Sequence, residues 1–408
     1  MRQLKTYFMI IVFSLISFAY ISEAYLTINR FYLIDGNESH LRDIKKKKNI
    51  YNKLTNNIYD ERPKLVVFNE ERLKDQNIVV NIPPYFKTNS DIFYLSGVSN
   101  SRTLGCNENG YFSYNQTDRH GFNNPDKEWD NEEIEFVLIG DSFVFGECVN
   151  RPNDIASVLR DLTNKSVLSL GYPGNGPITE YASLKEYLPK KVKNIVWFYY
   201  ENDLNDLKRE LKKEKLVEYT VGREDFSNNL AEKQNELDIF LRQRMNKMAE
   251  SINPNIASYW NDFYSFKKKI LRFVRLDKFK KFLIQKNNKK NSTENYETKS
   301  TLKEFKKVSL LMQKLAEQNN ANLYFVYLSS FNNYRTYLQR KFDLFYLNSP
   351  HQEAIKIVKN LNITVIDTHE DFFKKENDPL IYFPFRFSGH YNVLGYKKIT
   401  EFISDKIN

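Results

Sequence analysis

The strongest restriction on the fold comes from the run Phe136-Val137-Leu138-Ile139, which breaks into Gly140-Asp141-Ser142 ahead of Phe143-Val144-Phe145-Gly146. A short, uninterrupted apolar stretch rich in β-branched residues reads as a strand buried on both faces, as parallel strands are. Helix-compatible sequence follows Pro152. The pattern predicts a strand that delivers Ser142 to its C-terminal end, the edge where ligands gather in open α/β sheets.

The same alternation repeats downstream. A first strand at about 135–140 is followed by a helix over about 153–162, then an apolar run at 167–170. Gly171-Tyr172-Pro173-Gly174-Asn175-Gly176-Pro177 is too rich in Gly and Pro to be anything but a loop. A helix to about Leu188 leads into a third strand, Ile195–Tyr200, that ends at Glu201-Asn202-Asp203. The alternation stops over 204–300 and resumes with a helix at 302–318, a strand at 323–328, a helix at 351–360, a strand at 364–367 and a last helix to about Ile407. Strands alternating with helices predict an α/β fold, a parallel sheet covered on both faces. The chain divides into an N-terminal segment 1–25, an extension 26–134 packing near the site, a sheet domain 135–203 with 301–408, and a charged, largely helical insertion 204–300.

Ahead of the sheet the periodicity is weak. Leu65–Phe68 and Ile78–Val80 read as short strands, Lys45–Lys48 as a solvated tether, and 109–125 as an ordered, turn-rich loop. Within the insertion, aromatic and basic residues interleave from Tyr259 to Lys290, read as a solvated helical insertion with a polymer- or membrane-facing surface as the alternative, and Lys286–Asn291 reads as an exposed tip.

Arg2 and Lys5 precede an apolar run from Tyr7 to about Ala24, a length close to a bilayer span. It reads as an uncleaved signal anchor, with a cleaved signal ending near Ser22-Glu23-Ala24 as the alternative; either way the rest of the chain lies outside the cytoplasm, in the periplasm or extracellular space. An oxidising compartment allows Cys106 and Cys148, the only cysteines, to form one disulfide, against two unpaired buried thiols. The net charge of +10 is spread along the chain and gathers at no nucleic-acid-binding motif, so nucleic acid is not expected as a partner. No Gly-Lys-Ser/Thr phosphate loop and no His/Cys cluster at ligand spacing is present, so neither cofactor nor metal is expected.

Four places bring polar residues to one sheet edge: Ser142, the Gly174-Asn175 loop, Asn202, and His390 in the last loop. Their order and spacing resemble the SGNH hydrolases, or GDSL-type esterases. The matching blocks are Gly140-Asp141-Ser142-Phe143, the glycine loop, Tyr200-Glu201-Asn202-Asp203, and Ser388-Gly389-His390-Tyr391-Asn392. Cys106-Asn107-Glu108-Asn109-Gly110-Tyr111 and Gly121-Phe122-Asn123-Asn124-Pro125 resemble, more narrowly, exported members linked to bacterial surface polysaccharides. The resemblance implies a three-layer, flavodoxin-like sheet and an acyl-enzyme on Ser142 with His390 as base. It implies oxyanion donors from the Ser142 N–H, the glycine loop (Gly174, with Asn175 beside it) and Asn202, and an ester-bearing carbohydrate as substrate. Asp141, Asp203 and Ser388 are accessory candidates within the same blocks.

Two departures stand out. Glu201 occupies a position where a small residue is usual. More seriously, the family's Asp shortly before the histidine is missing: Phe387 and Ser388 stand there instead. Either a Ser–His dyad operates, or another carboxylate such as Asp367 or Asp203 serves, or the domain is catalytically degenerate and binds a polysaccharide or a secretion partner.

Overall fold

A computed structural model of the chain describes residues 2–29, 36–84, 93–221, 226–250, 266–280, 283, 292–334 and 349–407. Two compact units share it: residues 1–46 with 253–297, and residues 47–252 with 298–408.

The larger unit is built on a five-stranded parallel sheet. Three short strands precede it: β1 (Ile78–Val80), β2 (Arg102–Leu104) and β3 (Tyr114–Gln116), with β1 parallel and β3 antiparallel to β2. The main sheet comprises β4 (Ile134–Ile139), β5 (Val167–Ser169), β6 (Val192–Tyr199), β7 (Asn322–Tyr327) and β8 (Thr364–Asp367). Its spatial order is β5-β4-β6-β7-β8, every pair parallel. Counting only these strands, the order is 2-1-3-4-5, that of doubly wound flavodoxin-like sheets, and its switch point lies between β4 and β6.

Strand alternation splits the core into two layers. Val137, Ile139, Ile195, Trp197 and Tyr199 pack with Ile178 and Ala182 of helix Pro177–Tyr187, Phe305 and Met312 of helix Ser292–Gln318, and Val358 of helix Pro350–Asn360. Phe136, Leu138, Val196, Phe198 and Ile366 face the other way, against Ile155 and Leu159 of helix Ile155–Thr163 and Ile399 and Ile403 of helix Val393–Ile407. A period of two along strands buried on both sides thus yields the predicted α/β/α sandwich. Of the insertion, helix Gln234–Glu250 joins this unit, placing Leu237, Leu241 and Met245 in the first layer. The tip predicted at Lys286–Asn291 lies outside the described residues.

Two readings ahead of the sheet need correcting. Leu65–Phe68 is not a strand but part of helix Lys64–Glu71, with Pro63 just before it and Val67 and Phe68 buried. Proline is well tolerated at a helix start, and one apolar face suffices to bury so short a helix. Of the Lys45–Lys48 run, Lys45 and Lys46 are exposed as read, but the run lies within helix Gly36–Thr55 rather than in a tether, and Lys47 is only 5% exposed. Its ammonium donates to the Ser388 carbonyl at 2.9 Å.

Candidate active site

β4 ends at Ile139, and the chain turns through Gly140 and Asp141 into the short helix Ser142–Phe145. Asp141 caps that turn, its Oδ1 accepting the Phe143 N–H at 2.9 Å. From the other side, Asn123 of the Gly-Phe-Asn-Asn-Pro stretch donates to the Phe145 carbonyl at 2.7 Å. Ser142 is therefore held at the switch point of the sheet by polar contacts from two directions.

His390 meets it there. The Ser142 hydroxyl donates to His390 Nε2 at 2.8 Å, although the two are 248 positions apart in sequence. The Phe143 ring lies 4.7 Å from the imidazole, centroid to centroid, and limits its rotation.

The carboxylate behind the histidine is Glu108, a residue the sequence reading passed over. His390 Nδ1–H faces Glu108 Oε1 at 3.3 Å, and the His390 backbone N–H donates to Oε2 at 2.6 Å. One carboxylate thus fixes both the ring and the main chain of the histidine. Neither proposed substitute takes that place. Asp367 caps the following helix by accepting the His369 and Glu370 N–H groups, and Asp203 is fully buried with Oδ2 on the Tyr200 N–H at 2.8 Å. Ser388 contributes its carbonyl to Lys47.

Glu108 is positioned by the turn that carries it. Asn107 accepts the Gly110 N–H at 2.9 Å and donates to the Asp60 carbonyl at 2.7 Å. Gly110 has φ +95°, and a Cβ there would overlap the Tyr51 ring, so this turn needs glycine. Cys106 and Cys148 form the disulfide, tying the Glu108 segment to the loop just after Ser142. Cys148 Sγ lies 3.5 Å from His390 Nδ1. The potential metal-ligand atoms of Cys106, Glu108, Cys148 and His390 fall within 4.8 Å of one another, a grouping that sequence spacing does not announce. With the sulfurs bonded to each other, the remaining two groups face one another as imidazole and carboxylate.

The electrostatics follow from this pairing. Burial pushes Glu108 upward, but the His390 charge, their hydrogen bond and Lys47 outweigh it and hold the carboxyl below its usual range. Burial works against the imidazolium of His390; Glu108, and more weakly Glu147 and Asp141, overcome that and raise its pKa. The arrangement favours the charged imidazolium, the form a serine nucleophile's base passes through.

Among the described residues, neither the Ser142 nor the Gly174 backbone N–H has a hydrogen-bond partner. The Asn175 N–H is taken by the Tyr172 carbonyl at 3.1 Å, and the Asn175 amide is fully buried without a partner. Gly174, at φ +87°, is thus the loop residue with a donor to spare. Asn202 Nδ2 donates to Asp206 Oδ2 at 2.6 Å, and its side chain also bonds Asp141.

Glu210, also unanticipated, stabilises the glycine loop from beneath. Its carboxylate accepts the Gly176, Ile178 and Thr179 N–H groups at 2.8, 2.9 and 3.2 Å. Burial raises the pKa of Asp141, Glu180, Asp203 and Glu210, and neighbouring carboxylates add to this for Glu180 and Asp203. Glu201, the other departure, also has its reason. It accepts from Tyr327 OH at 3.0 Å, Asn333 Nδ2 at 2.8 Å and Ser330 Oγ at 2.5 Å, joining the ends of β6 and β7.

No protein-family model and no curated protein matches the chain. Among solved structures, it is similar to a protein of the G-D-S-L lipolytic family from Desulfitobacterium hafniense DCB-2, at 15% identity and a TM-score of 0.30, over 68% of this chain and 100% of that one. It is also similar to the acetyl xylan esterase AlAXEase, at 12% identity and a TM-score of 0.35, over 67% of this chain and 100% of the other.

Proposed function

We propose that the protein is an SGNH-type serine esterase or acyltransferase, with Ser142 as nucleophile, His390 as base and Glu108 as the third member of the triad. The observation that carries this reading is the continuous line from Ser142 Oγ through His390 Nε2 and Nδ1 to Glu108 Oε1, with contacts of 2.8 and 3.3 Å. As Ser142 Oγ attacks an ester carbonyl, its proton passes to Nε2, and Glu108 stabilises the imidazolium that forms. The oxyanion takes the free N–H groups of Ser142 and Gly174. Asn202 adds an amide donor when its side chain gives up its hydrogen bond to Asp206 or Asp141. Imidazolium then protonates the departing alcohol. Water or a sugar hydroxyl, deprotonated by the same His390, releases the acyl group.

Glu108, placed on His390, supports the catalytic reading over a degenerate one, whose main argument was the missing carboxylate. The substrate class we favour is an O-acetyl group on a cell-surface glycan. Support comes from the N-terminal apolar helix Gln3–Leu26, of a length and composition able to cross a membrane, and from the resemblance carried by residues 106–111 and 121–125. The test is turnover of an acetyl ester, with and without glycan acceptor, by the wild type and by Ser142→Ala. A Ser142→Ala protein as fast as wild type would refute the nucleophile; acyl transfer to the acceptor, rather than to water, would make it a transferase.

A further inference from the structure

The smaller unit holds a contact that the catalytic reading leaves unused. Helix Arg2–Asn29 contains the apolar span, and helix Phe266–Val274 with the residues after it packs against the end of that span. Tyr20 OH donates to the Val274 carbonyl at 3.1 Å, and the Tyr20 and Phe273 rings lie 6.0 Å apart. Phe18 stacks edge-on against Phe279 at 6.3 Å. Glu23, 1% exposed, accepts the Lys278 and Phe279 N–H groups at 3.3 and 2.7 Å.

The depth of these contacts follows from geometry. The 24 residues Gln3–Leu26, at about 1.5 Å each, exceed a hydrocarbon core of about 30 Å. Tyr20 and Glu23 sit in the last third of the span, at the level of a headgroup interface, and Phe18 lies just before that third. A carboxylate is costly in hydrocarbon, whereas here two N–H groups satisfy it. The segment held at this level has the makeup of an interfacial helix. Ile270, Leu271 and Val274, spaced to share one face, are 48, 46 and 53% exposed. Residues 266–280 carry seven basic side chains against one acidic, Asp277. Arg275 and Lys280 are exposed.

We infer that residues 266–280 are a second membrane contact: helix Phe266–Val274 lies at the interface and buries Ile270, Leu271 and Val274 in a bilayer, and the basic residues of 266–280 bind anionic phospholipid headgroups. Apolar burial and attraction to anionic lipid are the two forces that hold such helices. The inference rests on reading the N-terminal helix as a retained anchor. It does not depend on the esterase assignment.

The test uses the full chain with Val274→Cys, whose thiol is the sole free one because Cys106 and Cys148 are bonded to each other. The thiol carries an environment-sensitive fluorophore, and the protein is placed in phosphatidylcholine bilayers with or without phosphatidylglycerol. The expected result is emission at shorter wavelength and quenching by spin-labelled lipid, both stronger with phosphatidylglycerol. Arg275→Glu with Lys280→Glu should lose that difference while ester turnover and melting temperature stay as in wild type. An intact chain whose label remains water-like in both bilayers overturns the contact; equal responses in the two overturn the anionic preference. The mass of the purified chain tests the retained anchor on which the contact rests. Loss of the first 24 residues overturns both.

Discussion

Glu108→Gln isolates the carboxylate charge while keeping the side chain's size. At 3.3 Å and an effective dielectric of about 20, two unit charges attract by about 5 kcal/mol. That attraction exists only when His390 is protonated, so it acts on the transition state more than on the resting enzyme. Taken whole, it corresponds to about a 5,000-fold loss in turnover; halved for solvent screening, to about 100-fold. Screening applies because the two side chains are 20 and 23% exposed. We therefore expect kcat on a soluble acetyl ester to fall between about 100-fold and about 5,000-fold, with smaller changes in KM. The pH profile supplies a second readout. Glu108 raises the pKa of His390, so its neutralisation should move the acidic limb of kcat/KM to lower pH. A Glu108→Gln protein that stays folded and shows the wild-type rate and limb would refute the triad.

Three further outcomes follow from neighbouring contacts. A Cβ on Gly389 would overlap Glu108 Oε2, so Gly389→Ala should lower kcat by displacing the carboxylate, with Ser142 still reactive toward a phosphonate; steady-state kinetics beside labelling checks this. The disulfide closes a separation of 42 residues, worth about 4 kcal/mol on the chain-entropy model; replacing both cysteines by alanine should lower the denaturation midpoint accordingly and cut turnover. The Glu108–His390 pair should also shape stability. The His390 share is full below the unfolded histidine value, about 6.5, and is lost as pH rises through its raised folded value. The Glu108 share appears above the unfolded carboxyl value and is lost as pH falls through its lowered folded value. Denaturant unfolding should therefore show a wider gap between wild type and Glu108→Gln near pH 6 than near pH 9.

The parts of the site that lie at strand ends were legible because each is written locally. The apolar runs end at Ser142, at the glycine loop and at Asn202, and strand order then brings them to one edge. Glu108 is of another kind. It comes from a turn outside the βα repeat, 282 residues from its partner, and no periodicity points to it. A signal was nevertheless present. Cys106 lies two residues before Glu108, and Cys148 six after Ser142. Used as a distance restraint, that pairing brings the carboxylate to the serine's loop. The Lys45–Lys48 run misled for a related reason: charge patterning reports average solvation, and a single buried lysine that bonds a carbonyl from the last loop is invisible to it. Val66-Val67-Phe68 misled because a short apolar run suits a strand or a buried helix equally, and Pro63 decides between them.

The order of the three residues along the chain has its own consequence. Glu108 and Ser142 precede strands β6, β7 and β8, whereas His390 follows them, 248 positions beyond the serine. Synthesis runs from the N-terminus, and contacts of such long sequence separation close late in folding. A nascent chain that has not reached His390 holds a serine hydroxyl without its imidazole partner. Under the proposed triad, Ser142 meets its base only once strands β6, β7 and β8 have been laid beside β4, so reactivity toward a serine-directed phosphonate reports that the sheet between the two residues has assembled.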